Sequence, residues 1–141
     1  MFYSQQQEDR ILYKKYLNYK NGFFIELGAM DGKTFSNTLF YEKEMQWKGV
    51  LIEPSPGQFL QLQSNRPKCY NFNYAVSEIN GFVNFTDAKA LGCIVNSNSE
   101  EHIKLWRLDK VNKIISVPSK PLLEIIQDIH IEQVDLFSID V

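Results

Sequence analysis

Phe23-Phe24-Ile25-Glu26-Leu27-Gly28-Ala29-Met30-Asp31-Gly32 is the stretch that decides the fold. Phe23 to Leu27 is a short apolar run broken only by Glu26, the pattern of a buried strand. At Gly28 the chain turns without a bulky side chain, and a helix is expected soon after. Gly28 and Gly32 let the backbone approach a ligand lying across the carboxyl ends of the strands, where open α/β sheets bind small molecules. The spacing is Glu-x-Gly-x-x-x-Gly, whereas the phosphate-binding turn is Gly-x-Gly-x-x-Gly, and Ala29 stands where that fingerprint fails. Two acidic residues, Glu26 and Asp31, would also repel a pyrophosphate. The turn therefore suits a positively charged ligand without phosphate.

Working outward, Asp9 to Tyr19 carries Leu12, Tyr16 and Tyr19 at helical spacing and reads as an amphipathic helix stopped by Asn21-Gly22. Ser36-Asn37-Thr38 lies near the start of a helix whose apolar face includes Phe35, Leu39 and Phe40. Trp47-Lys48-Gly49 ends it, and Val50 to Glu53 is a second strand closed by Pro54. Ser55 is the expected N-cap of the next helix, with Pro56 at its first position, Phe59 and Leu62 facing inward, and Arg66-Pro67 at its end. Tyr70 to Val76 is a third strand. After Gly81, the alternation of Phe82 to Phe85 predicts a hairpin strand. Ser97 to Asp109 shows no clear period and is read as a loop or lid. Leu122, Ile125, Ile126 and Ile129 form a helical stripe before a strand over Val134 to Ile139.

Strands alternating with helices predict a parallel α/β sheet with helices on both faces, a Rossmann-like arrangement. The last strand is as apolar as a central one, yet only Asp140 and Val141 follow it. A single domain spanning residues 1–141, incomplete at its C-terminus, is therefore expected. Standing alone, that strand would be an exposed edge prone to self-association.

Composition narrows the function classes. A hydrophobic content of 44% and an aromatic content of 13% suffice for a core and exclude a disordered binder. The net charge of -2, with no run of Lys or Arg, argues against nucleic acid as a partner. Cys69 and Cys93 stand far apart, as do His102 and His130, without metal-ligand spacing; no metal is assigned, and the thiols are expected reduced. No apolar run is long enough to span a membrane. Met1 to Arg10 is polar and acidic rather than leader-like, so a cytoplasmic location is expected.

Glu53, 25 residues after Gly28, ends the second strand. A carboxylate there can accept both hydroxyls of a ribose. With the acidic, phosphate-averse turn, this points to S-adenosylmethionine, which carries an ammonium and a sulfonium and no phosphate.

Several segments together resemble the FkbM family of methyltransferases. They are Phe24-Ile25-Glu26-Leu27-Gly28-Ala29-Met30-Asp31-Gly32, then Phe35-Ser36-Asn37-Thr38, then Leu51-Ile52-Glu53-Pro54-Ser55-Pro56. Ser4-Gln5 with Glu8-Asp9, Asn73-Tyr74-Ala75-Val76-Ser77 and Phe137-Ser138-Ile139-Asp140-Val141 extend the likeness along nearly the whole chain. The resemblance implies a class I Rossmann-like fold of seven strands and methyl transfer from S-adenosylmethionine to a hydroxyl of a small molecule or glycan. It implies that Glu26, Gly28, Asp31 and Gly32 hold the methionine end, with Ala29 among the cofactor contacts. Glu53 would hold the ribose, and Ala75-Val76 would border the adenine.

A hydroxyl acceptor must lose its proton, which calls for a base or a divalent metal ion. Asp140, at the carboxyl end of the last strand, is the candidate base; a carboxylate capping the next turn is the alternative. Ser36, Asn37 and Thr38 either cap their helix or bond the methionine carboxylate, the motif match favouring Ser36 as a ligand contact. Gln5 and Asp9 either fold over the same pocket or cap the first helix. The competing function is a catalytically silent module that binds an adenosyl ligand without transferring a methyl group.

Overall fold

A computed structural model describes residues 1–87, 92–95 and 113–140. The expected loop or lid from Ser97 to Asp109 lies outside the described residues. The order of elements is α1 (Glu8–Lys15), β1 (Phe23–Leu27), α2 (Leu39–Met45), β2 (Lys48–Ile52), α3 (Pro56–Asn65), β3 (Tyr70–Phe72), β4 (Ala75–Val76), β5 (Gly81–Asp87), β6 (Lys113–Lys120), α4 (Leu122–Ile126) and β7 (Leu136–Ile139).

Four strands form a sheet in the order β3-β2-β1-β7, and every pairing in it is parallel. Strand alternation sorts the side chains of β1 and β2 onto two faces. Phe24 and Leu51 pack with Phe40, Tyr41 and Met45 of α2 and Leu62 of α3. Ile25, Leu27, Val50 and Ile52 pack on the other face with Ile125 of α4. The helices therefore cover both faces, in agreement with the α/β, Rossmann-like expectation. Gly49 sits opposite Phe24 in the β1–β2 register, and its missing side chain leaves room for the fully buried Phe24 ring.

Several boundaries depart from the expectation. Helix α1 ends at Lys15, because the amides of Tyr16 and Leu17 both turn back to the Leu12 carbonyl. Tyr16 is then exposed, while Tyr19 lies against Trp47 and its hydroxyl donates to Asp135. Phe35 lies outside α2, in a left-handed conformation with φ +58°, so the apolar face of that helix begins at Leu39. The expected strand from Tyr70 to Val76 is split: β3 stays in the parallel sheet, and β4 joins a second sheet ordered β4-β6-β5. Between them Asn73 leaves the ladder, and its side-chain amide donates to the carbonyls of Glu53 and Pro54.

Strand β6 was not expected. Ile114, Ile115 and Val117 are β-branched, but Pro118 argues against a ladder position. Pro118 is accommodated opposite the exposed Phe82 in the antiparallel β5–β6 pair. The strand expected at Phe82 to Phe85 is the middle of β5, but its partner is β6 rather than the segment before Gly81. Strand β7 pairs with β1 alone among the described residues, and its Phe137 and Ile139 are exposed.

Gly49→Ala forces a methyl group into the Phe24 ring. It is expected to destabilise the fold by about 1–3 kcal/mol, the usual cost of overpacking a core, read as a lower urea midpoint with unchanged slope.

Candidate functional site

The turn after β1 is built from unusual backbone. Gly28 and Gly32 have φ of +76° and +78°, and between and beyond them Met30 and Phe35 have φ of +50° and +58°. For a residue with a side chain this conformation costs roughly 1–2 kcal/mol, so neighbours must hold it in place. The amides of Gly28 and Ala29 both donate to the Ile52 carbonyl at the end of β2, and Gly32 donates to Ala29. The amide of Met30 donates to Glu53 Oε2 at 2.8 Å.

Glu53 is held from the other side too, since the amide of Ser55 donates to its Oε1 at 2.8 Å. Each carboxylate oxygen thus accepts one backbone amide and keeps a free lone-pair direction. Burial pushes its pKa above the ordinary value; the Ser55 and Met30 amides oppose the shift, and the negative charge of Asp87 adds to it. Ser55 also caps α3, accepting from the Gln58 amide as its sequence position foretold, and its hydroxyl donates to Asp87.

Glu53 lies on the wall of a cavity of about 350 Å³ across the carboxyl ends of the parallel strands. That volume lies within the range of about 300–1,000 Å³ found for small-molecule sites. Gly28, Ala75, Val76 and Asp140 line the same cavity, so the structure gathers these expected residues around Glu53. Asp140 follows β7; its amide donates to the Leu27 carbonyl, and the residue is exposed at the cavity. Gln5 lines it as well, whereas Asp9 does not. Asp9 is fully buried and caps the start of α1, where its amide and carboxylate bond reciprocally with Ser4. The two alternatives held open for this pair therefore divide between them.

Five of the expected cofactor contacts, Glu26, Ala29, Asp31, Gly32 and Ser36, do not line the cavity. Ala29 is buried in the core against α2 and α3. Asp31 accepts from the amides of Lys33 and Thr34 and from the Thr34 hydroxyl, closing its own turn. Partial burial works the other way, yet these bonds hold its carboxyl below the ordinary value. A Cβ at Gly32 would fall on the side chains of Leu62 and Arg66, so this glycine is required by packing against α3. Glu26 points to the same face as Phe24, under α2 rather than toward the cavity. Its carboxylate accepts from the Thr38 hydroxyl at 2.6 Å, the Asn37 amide at 2.9 Å and the Ser36 hydroxyl at 3.1 Å. Ser36 Oγ in turn accepts from the Leu39 amide and begins α2, and the Asn37 side chain donates to Ser138 of β7. Capping and bracing are thus the observed roles of Ser36, Asn37 and Thr38.

Arg66 is the C-cap of α3. It is fully buried, pairs with Glu42, and donates to the Gly32 carbonyl and to the hydroxyls of Ser36 and Thr38. Burial raises the pKa of Glu26, while the Thr38 hydroxyl, the Arg66 charge, the Asn37 amide and the Ser36 hydroxyl pull it back. Cys69 closes the cluster; burial pushes its thiol up to about 12, and it donates to Glu42. Nothing in the sequence near Arg66 marks it as a hub, because its partners lie 24 to 34 positions away.

Lining residues that sequence alone missed include Met30, Phe35, Tyr74 and Ile94. Tyr74 adjoins the Ala75-Val76 segment, which was the available signal; Ile94 reaches the wall through a bridge to Phe85. Among the described residues, no group of three or more His, Cys, Asp or Glu is placed to hold a metal ion, and no helix is long and apolar enough to cross a membrane.

A parallel sheet with its cavity at the carboxyl ends of β1 and β2, and an acid just beyond β2, has the architecture of α/β proteins that bind nucleoside-bearing ligands. A model of the methyltransferase FkbM domain matches residues 26–141, and the chain belongs to that family. No curated protein and no solved structure gives a significant match.

Arg66→Met removes the positive centre from beside Glu26 and Glu42. Stability is expected to fall by about 3–5 kcal/mol, the cost of breaking a buried pair, measured by chemical denaturation. Arg66→Lys, which keeps the charge but not the planar fork, should lose less.

Proposed function

We propose that the cavity binds S-adenosylmethionine and that the protein transfers its methyl group to a hydroxyl of a small molecule or glycan. The observation that carries this reading is the Glu53 carboxylate, held by the amides of Met30 and Ser55 on the cavity wall. Two oxygens with free lone pairs match the two hydroxyls of a ribose. Tyr74, Ala75, Val76 and Phe85 supply an apolar wall suited to a base, and no Lys or Arg lines the cavity among the described residues. That set fits a nucleoside ligand without phosphate.

When bound, this cofactor supplies a methyl group on a sulfonium centre. The chain's part in the reaction is positioning, since the displacement requires nucleophile, carbon and sulfur in line. Gly28 keeps the turn low enough for close approach, while the Glu26 and Arg66 bonds hold the following segment rigid. Asp140 stands at the cavity on the β7 side of the turn and is the residue we assign as proton acceptor for the hydroxyl.

Calorimetric titration with S-adenosylhomocysteine, with NAD as control, tests the reading. Saturable binding of the first alone is expected, and Glu53→Ala should weaken it by roughly 1–3 kcal/mol, because hydroxyls and amides lose their acceptor. Unchanged affinity in that variant would remove the ribose role. Only the carboxylate can accept both hydroxyls, and burial raises its pKa above the ordinary glutamate value. Affinity should therefore be full above the raised pKa and fall as pH drops through it, at a higher pH than an ordinary glutamate would give. Asp140→Asn should leave this binding intact and lower methyl transfer by roughly 100-fold or more, the usual contribution of a positioned base, measured with labelled cofactor.

A further inference from the structure

The segment before α1 is fixed on both sides of Gln5 and Gln6, of which Gln5 lines the cavity. The buried Asp9 carboxylate accepts from the amides of Tyr3 at 2.6 Å and Ser4 at 3.3 Å and from the Ser4 hydroxyl at 2.7 Å. The Tyr41 hydroxyl donates to the Asp9 carbonyl, tying the cap to α2. Ser4 forms a parallel bridge with Phe35, and Gln7 turns the chain into α1 through a left-handed φ of +64°. Between these anchors Gln5 is exposed and lines the cavity, and its amide makes no hydrogen bond among the described residues. Fixed backbone with an uncommitted side chain is the arrangement of a contact residue rather than of a cap, the cap here being Ser4 and Asp9.

The position of Gln5 along the cavity follows from the sheet order. Glu53 follows β2; Tyr74, Ala75 and Val76 lie on the β3 side of it, and Gly28, Met30 and Phe35 lie on the β1 side with Gln5. A nucleoside with its ribose on Glu53 and its base against the apolar wall must send its 5′ substituent toward Gln5. In an adenosyl thioether that substituent ends in an amino acid, with one ammonium and one carboxylate. A side-chain amide both donates and accepts, so it can serve either group without adding charge.

We infer that Gln5, on a segment outside residues 26–141 matched by the family, contacts the amino-acid end of the ligand and selects ligands that carry it. The inference rests on the adenosyl reading of the cavity. It is tested with the full chain by titrating S-adenosylhomocysteine and 5′-methylthioadenosine, which share the adenosine and the thioether and differ in the amino acid. Gln5→Ala should bind S-adenosylhomocysteine roughly 3- to 10-fold more weakly, the worth of one hydrogen bond, and 5′-methylthioadenosine unchanged. Because Gln5 is exposed, the melting temperature should not move. Glu53→Ala is the reference and should weaken both ligands. Equal losses on both, or no loss on either, overturn the role of Gln5 while leaving the adenosyl reading in place. A wild-type chain that binds neither ligand overturns both.

Discussion

The guanidinium of Arg66 is buried at the place where three elements meet, and a buried charge is tolerated only when its donors are satisfied. Glu42 from α2, the Gly32 carbonyl from the turn and the hydroxyls of Ser36 and Thr38 satisfy them, and the Phe24 ring lies 5.6 Å from its centre. Glu26 adds a second negative group through those same hydroxyls. The end of α3, the start of α2, the end of β1 and the turn between them are therefore one electrostatic unit. Such a unit is directional in a way that apolar packing is not, and it specifies where the turn stands relative to the sheet.

That rigidity lets the turn keep strained backbone. Met30 and Phe35 both occupy the left-handed region and both lie on the cavity wall. The strain at Met30 places its amide on Glu53; that at Phe35 places the backbone beside Ser4. In each case local conformational cost is offset by contacts that shape the cavity, since such backbone persists only where the surroundings hold it.

Glu26 and Glu53 show how two similar signals part company. Both are buried acids near strand ends, and in both burial raises the pKa. Glu26 lies within β1, where alternation turns it toward the helices, and hydroxyls with an arginine charge fill its surroundings. Glu53 lies one residue past the end of β2, where the chain turns, and backbone amides orient it on the cavity wall. For a chain of the FkbM methyltransferase family, this separates an acid that holds the turn from one on the cavity wall.

Much of this was legible from the residues in order. Apolar runs and their breaks located β1, β2, β7 and α3 to within about two residues, since strand periodicity and a Ser-Pro helix start act over a few neighbours. The acid after β2 was legible as well, because its distance from the glycine turn reflects one βαβ unit. Tertiary contacts decided the rest. Pairing in the antiparallel β5–β6 ladder accommodated Pro118, and Asn73 drew the chain from one sheet to another. Strand parity and the remote Arg66 assigned Glu26, Gly32 and Ser36 to the frame of the site, while the Ser4–Phe35 bridge brought Gln5 to the cavity. Local pattern determines which residues form an element; which side chains face a shared space depends on distant partners, and no window of sequence contains them.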